Sequence, residues 1–288
     1  MKKLIEVAHS PDADDIFMYM AIDFGWVGND YAYKHYALDI QTLNEEALKN
    51  SFAVSAISFA LYPLIASEYA LLRTAVSFGQ GYGPKLICLK NKTLKKNFKV
   101  ALSGAHTTNA LLFRLKYPDA RIVYMSFLDI EKAVLSGEVD AGVLIHESIL
   151  EFDERLRTEA EIWDIWCELV GTDSLPLPLG GMALRRSLTL SDAINIEKDL
   201  IKAVQIADDN RKILAPMLLE RKLIRVDKEK LDIYLNLYAN KNSVFLSQIQ
   251  IKALDALFEL GFRAGFYDKL IKTQDFFIPS EYENLRFD

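Results

Sequence analysis

The chain predicts an α/β fold built as two lobes around a cleft, on three observations. Short β-like and helix-like segments alternate through the first two-thirds of the 288 residues. Gly/Pro-rich stretches interrupt that alternation twice, at residues 79–85 and again in "GTDSLPLPLGG" at 171–181. Beyond about Leu190 the pattern is nearly all helix. Alternating β/α order implies mainly parallel sheets. Two interruptions imply that the chain crosses into a second lobe and returns, as in a hinged clamshell. The expected division is a first, larger lobe of residues 1–84 and 181–288, carrying the C-terminal helices, and a second lobe of residues 85–180.

The elements follow in order. "LIEVAH" (4–9) reads as a strand, and "DADDIFMYMAIDFG" as a helix whose acidic first turn suits the helix dipole. "KHYALDI" (34–40) reads as a strand and "TLNEEALKN" as a short helix opened by Thr42. "FAVSAIS" (52–58) is a buried strand, and "YALLRTAVS" (69–77) is β-rich. After the first interruption come strand "KVALS", helix "TTNALLFRLKYP", strand "RIVYMSF", helix "DIEKAVLSG" and strand "AGVLIH". After the second, "MALRR" is a strand and three helical stretches complete the chain.

Composition excludes several classes. Hydrophobic residues make up 51% and charged residues 26%, the balance of a well-cored globular protein. A net charge of −6 argues against a nucleic-acid partner, which favours a basic face. Charges interrupt every apolar run before it could span a bilayer, and the N-terminus has no secretory pattern, so no membrane association and a cytoplasmic location are expected. Cys88 and Cys167 stand in separate apolar contexts without metal spacing and read as reduced thiols.

In parallel α/β sheets ligands gather at the carboxyl ends of strands and the helix starts that follow. Three junctions qualify: "HSPDADD", "SAISFALYP" and "SGAHTTNALL". In the last, Thr107 or Thr108 either caps the helix only or also offers a hydroxyl, beside free amides, to a carboxylate or phosphate. His106 is a candidate contact beside them. "GQGYGP" matches neither a P-loop nor a dinucleotide fingerprint and reads as a hinge turn, with Tyr82 as a candidate aromatic wall for a flat ligand. Asp12, Asp14 and Asp15 read as a negative helix start rather than a metal site. His9 and His35 read as structural. His146 ends an apolar strand in "DAGVLIHESIL", where it is either a packed core group or a proton-handling group at the cleft rim. Glu147 is expected to alternate to the other side of that strand and matter less.

Taken together, "SPDADDIF", "TLNEEAL", "SAISFALY", "GYGP", "SGAHTTNALL", "GEVDAGVLIHES", "LPLPLGG" and "YANKNS" occur in an order that resembles the 1,4-dihydroxy-6-naphthoate synthases of the futalosine route to menaquinone. The resemblance covers nearly the whole chain. It implies a fold like that of periplasmic solute-binding proteins and a cytoplasmic lyase. The lyase converts cyclic dehypoxanthine futalosine to 1,4-dihydroxy-6-naphthoate without a cofactor or metal. It implies that His146 is the general base and that His106, Thr107, Thr108, Ser58 and Asn44 contact the substrate, a small aromatic carboxylate. Where this chain has "SPDADDIF" the family usually reads "SPCPNDTF". Ser10, Pro11, Asp15 and Phe17 match, and the resemblance of this stretch implies that Ser10 and the residue at position 14, here Asp14, belong to the substrate-binding set. Asp14 replaces Asn and Ile16 replaces Thr, and an ionised Asp14 donates no hydrogen bond. Chorismate dehydratase shares the implied fold, but "IHES" with "LPLPLGG" points away from it. A non-catalytic solute-binding protein is the other alternative.

Overall fold

The computed structural model describes residues 2–28, 30–224 and 226–279. The chain opens with β1 (Lys3–His9), α1 (Ala13–Asp23), β2 (Tyr31–Ala37) and α2 (Ile40–Leu48). β3 (Val54–Ser58), a short α3 (Tyr62–Ile65), β4 (Tyr69–Leu71) and β5 (Ser77–Gly79) follow. Then come β6 (Lys85–Leu89), β7 (Lys99–Leu102), α4 (Thr108–Lys116), β8 (Arg121–Tyr124), α5 (Phe127–Ser136) and β9 (Ala141–Leu144). β10 (Leu156–Glu161), α6 (Ile162–Val170) and β11 (Leu177–Arg185) precede the helical part. That part comprises α7 (Leu190–Asp209), α8 (Arg211–Glu220), α9 (Lys228–Tyr238), α10 (Lys241–Val244) and α11 (Gln248–Arg263).

The strands form two sheets. One runs β2-β1-β3-β11-β4, with β5 also paired to β11; the other runs β10-β6-β9-β7-β8. Neither is mainly parallel, contrary to the expectation from β/α alternation. β1 pairs in parallel with β2 and β3, and β7 with β8 and β9. β11 runs antiparallel to β3, β4 and β5, while β6 runs antiparallel to β9 and β10. The cause is the double crossing. A strand that leaves or re-enters a lobe reaches its sheet without the helical return that a parallel neighbour needs. Strand membership passes to the second sheet at Lys85 and returns to the first at Leu177. At the outward crossing Gly79 permits a tight turn, since a Cβ there would collide with the Tyr82 carbonyl.

Several local boundaries also differ from the sequence reading. α2 begins at Ile40, because the Asp39 carboxylate accepts from the Gln41 and Thr42 amides and caps the helix ahead of Thr42. The 69–77 stretch is two strands, separated by Ala75 at φ +54°. β10 and α6 occupy residues left unassigned by the pattern; β10 is a charged edge strand with little periodic signal. Two core assemblies support the cleft. α1 packs against α7, α8 and α9, and α11 packs on β11 and the 59–61 turn. Under the second sheet, α5 lies against β9, β7 and β6. Among the described residues no helix is long and apolar enough to cross a membrane.

Candidate active site

A cavity opens where both sheets present strand ends and helix starts. Its walls include Ser10, Asp12, Asp14 and Asp15 from the β1–α1 junction, and Ser58 at the end of β3. The second sheet contributes Ser103, Thr107, Thr108 and Asn109 from the β7–α4 junction, and Ile145 and His146 beyond β9. Leu179 and Gly180 of β11, with Tyr234 and Tyr238 of α9, complete it. The empty space, mouth included, is about 770 Å³, in the range that holds a ligand of a few fused rings.

His146 is not the end of the strand. β9 stops at Leu144, and His146 opens a 3₁₀ turn over His146–Ile149 with its backbone at φ +55°. The left-handed conformation swings the ring out of the sheet plane and sets it edge-on to Phe127, with centroids 4.9 Å apart. Nδ1 lies 2.6 Å from the Asp12 carboxylate, which is 1% exposed and also accepts from the Ser10 hydroxyl. Nε2 is buried and has no protein partner. Asp12 stands at the N-cap position of α1 but makes no side-chain cap bond, because its carboxylate is turned to His146 instead. The pair fixes which nitrogen faces the cavity: with Nδ1–H given to Asp12, the neutral ring presents the Nε2 lone pair. Burial alone would depress the imidazole. The Asp12 charge and hydrogen bond, with Glu147 in support, outweigh it and push His146 up to about 9.

Glu147 does not alternate away, because no strand exists there. Its Oε1 accepts from the Ala13 amide at 3.0 Å, joining the 146–149 turn to the first amide of α1. Asp15 accepts from the Ser10 amide at 2.7 Å. Among the described residues Asp14 accepts one hydrogen bond, from the Tyr234 hydroxyl at 3.3 Å. Burial first, then the charges of Asp15 and Asp12, drive the Asp14 carboxyl well above the ordinary carboxylate range.

The helix start facing this acidic group is uncharged. Thr107 caps α4 by accepting from the Ala110 amide at 3.1 Å and donates to the Gly104 carbonyl. Thr108 donates to the Leu179 carbonyl at 3.2 Å and accepts from the Ala60 amide at 3.3 Å. Both hydroxyls therefore have protein partners. The first amides of α4, which a helix cannot satisfy internally, are those of Thr108 and Asn109. The Asn109 side chain is 8% exposed, and its Oδ1 has no protein partner.

Of the residues singled out from the sequence, Ser10, Asp14, Ser58, Thr107, Thr108 and His146 converge on the cavity. Asn44 lies behind it, fully buried, its amide donating to the Ser58 hydroxyl and accepting from the Ser58 amide, both at 3.0 Å. Tyr82 faces a neighbouring pocket, its hydroxyl donating to the Leu237 carbonyl at 2.5 Å. His106 is not among the cavity-lining residues. Sequence reasoning missed Asp12 as a partner of His146, and missed Asn109 and Tyr234. A polar residue two positions past the helix cap was the available signal for Asn109. Asp12 and Tyr234 carried none, since their partners lie 134 and 220 positions away. Among the described residues no group of three or more His, Cys, Asp or Glu side chains is arranged to hold a metal ion.

The model of a family described as "Menaquinone biosynthesis" matches residues 5–263. The chain belongs to the menaquinone biosynthesis family. It is 28% identical over 260 residues to a 1,4-dihydroxy-6-naphthoate synthase of Streptomyces coelicolor, covering 88% of this chain and 91% of that relative. The crystal structure of an Archaeoglobus fulgidus protein superposes with a TM-score of 0.84 at 33% identity, over 91% of this chain and 98% of that one. A periplasmic aliphatic sulphonate binding protein of Escherichia coli matches with a TM-score of 0.66 at 13% identity, over 96% and 92% of the two chains. That likeness carries the fold alone: a family member in menaquinone biosynthesis is built on a periplasmic-binding-protein-like clamshell.

Proposed function

We propose that this protein is a 1,4-dihydroxy-6-naphthoate-forming carbon–carbon lyase acting on cyclic dehypoxanthine futalosine, with His146 as its general base. One observation carries the reading. The His146 ring is held by Asp12 through Nδ1 and leaves a buried, unpartnered Nε2 at the cavity wall. Breaking a carbon–carbon bond beside a ketone requires a base for a proton and donors for the oxyanion that develops. Nε2 supplies the first. Asp12 orients the ring and stabilises the imidazolium that forms.

The substrate's aromatic carboxylate takes the start of α4, where the Thr108 and Asn109 amides and the helix dipole favour an anion and no acidic side chain competes. Ser10 and Ser58 supply hydroxyls along the wall between the two ends. Access is by opening about the crossing segments near residues 80–85 and 176–181. Both cysteines are free thiols, in keeping with a cytoplasmic site of action.

Incubating the purified protein with cyclic dehypoxanthine futalosine and following naphthoate formation tests the assignment. Product formation that needs His146 is the expected result. Ligand recovered unchanged would point to a binding protein, and turnover of chorismate instead would point to a dehydratase on the same fold.

A further inference from the structure

Four carboxyl groups and one imidazole crowd the α1 end of the cavity. Asp12 has His146 and the Ser10 hydroxyl, Asp15 has the Ser10 amide, and Glu147 has the Ala13 amide. Each of these three thus accepts a hydrogen bond from a neighbouring donor. Asp14, 7% exposed, has only the Tyr234 hydroxyl at 3.3 Å, received at Oδ1. The other groups facing it bring no second cation. Asp12 and Asp15 share its turn, His146 and Glu147 come from the 146–149 turn, and Tyr234 and Tyr238 come from α9. His9 lies beside Asp15. On the helices behind, Arg211 lies over the Phe17 ring and pairs with Asp208, while Glu197 and Asp199 of α7 bind the Arg73 amide and the Tyr33 hydroxyl. Among the described residues no lysine or arginine lines the cavity.

A buried carboxyl with three carboxyl neighbours and no amide donor is driven toward its neutral form. We propose that Asp14 acts as a neutral acid, its carboxylic O–H donating a hydrogen bond to the substrate oxygen that gains charge when His146 takes its proton. This rests on the functional reading given above. In that step the C–H bond breaks and an N–H bond forms at Nε2. The electron pair passes toward the carbonyl oxygen, and Asp14 keeps its own proton within the hydrogen bond. A neutral acid suits the place better than a cation, since it stabilises an oxyanion without lowering the basicity of the imidazole next to it.

Asp14→Asn separates donor from charge, because an amide donates at every pH and does not titrate. The expected result is turnover within about tenfold of the parent at neutral pH. Beyond the rise that accompanies proton loss from His146, the parent's kcat/KM should fall as Asp14 ionises, and this alkaline limb should be missing from that variant. Asp14→Leu, with no donor, should lose about 10²–10³ in kcat. An infrared difference spectrum, parent minus Asp14→Asn at neutral pH, should show the C=O band of a protonated carboxyl, and it needs no turnover. Absence of that band overturns the proposal, as does a folded but inactive Asp14→Asn or an unchanged alkaline limb in it. If the parent does not form product, or His146→Asn keeps the parental rate, the functional reading fails whatever the band shows. Turnover without the band removes only the role given to Asp14.

Discussion

The two helix starts that face each other across the cavity are built from opposite chemistry. α1 begins with Asp12, Ala13, Asp14 and Asp15, and its first amide is already bonded to Glu147. α4 begins with Thr107, Thr108 and Asn109, with no acid in its first turn. Both carry the partial positive charge of a helix N-terminus. In α1 the protein's own carboxylates take up that charge, which leaves a place for a base and its partner. In α4 neutral caps satisfy the helix and leave amides for a ligand. A helix N-terminus is therefore an anion site only where the sequence around it has not already supplied the anion. On the function proposed above, a carboxylate would meet the α4 end and the reacting carbons the α1 end.

The strongest test of this contrast is removal of the base. His146→Asn keeps size and hydrogen bonding but accepts no proton near neutrality, so single-turnover rates should fall by about 10²–10⁴ with substrate affinity largely retained. Next in size is the partner. Asp12→Asn leaves the ring without its anion, and kcat should drop about 10²-fold or more, by the logic of an orienting carboxylate behind a catalytic imidazole. The same variant carries a pH signature. In the parent, the rate rises as His146 loses its proton near 9, and without Asp12 that limb should move to lower pH, because the main influences raising the imidazole are gone.

A charge placed at the open helix start is expected to do less. Asn109→Asp puts a carboxylate where the ligand's own is expected, and KM should rise by about 10-fold to 100-fold with kcat little changed. Equal KM in this variant and the parent would place the anion elsewhere. The smallest effect belongs to the cap. Thr107→Val removes the acceptor for the Ala110 amide, and denaturant titration should show a loss of about 1 kcal/mol, with catalysis nearly intact.

Stability should also report the dyad. The folded His146 sits at about 9 against an ordinary 6.5. Its contribution is complete below about 6.5 and is lost as pH rises through about 9. Asp14, also raised on folding, acts in the same direction from about 4 upward. The parent should accordingly lose stability with alkalinity more steeply than Asp12→Asn does.

Much of this was legible in the residues because strand and helix periods are local. The "VSAIS" strand, the "TTNALL" helix and the apolar run before His146 each declare themselves within about ten positions. The antiparallel return of β11 was not legible, since the direction of a strand in its sheet depends on the path of the chain between lobes. The acidic start of α1 was read as a negative helix start, which Asp14 and Asp15 form, but the pairing of Asp12 was not legible. Asp12 looks like a complement to the helix dipole, and only folding brings it to a histidine 134 residues away. His146 itself was found, but in the wrong conformation, because nothing in "VLIHES" signals that the chain leaves the strand after Leu144 and turns left-handed.

The cross-cleft links have one further property. Glu147 reaches the Ala13 amide, Gln41 accepts from the Ala105 amide at 2.9 Å, and Thr108 meets the Ala60 amide and the Leu179 carbonyl. In every case a side chain of one lobe ends on the main chain of the other. A main-chain partner is present whatever residue occupies its position, proline aside where an amide must donate. Half of each latch is thus immune to substitution, and drift at residues 13, 60, 105 or 179 can change side-chain packing without deleting the contact. Water can replace such partners, so each link contributes only about 1 kcal/mol. The two lobes can therefore diverge widely in sequence without losing these links.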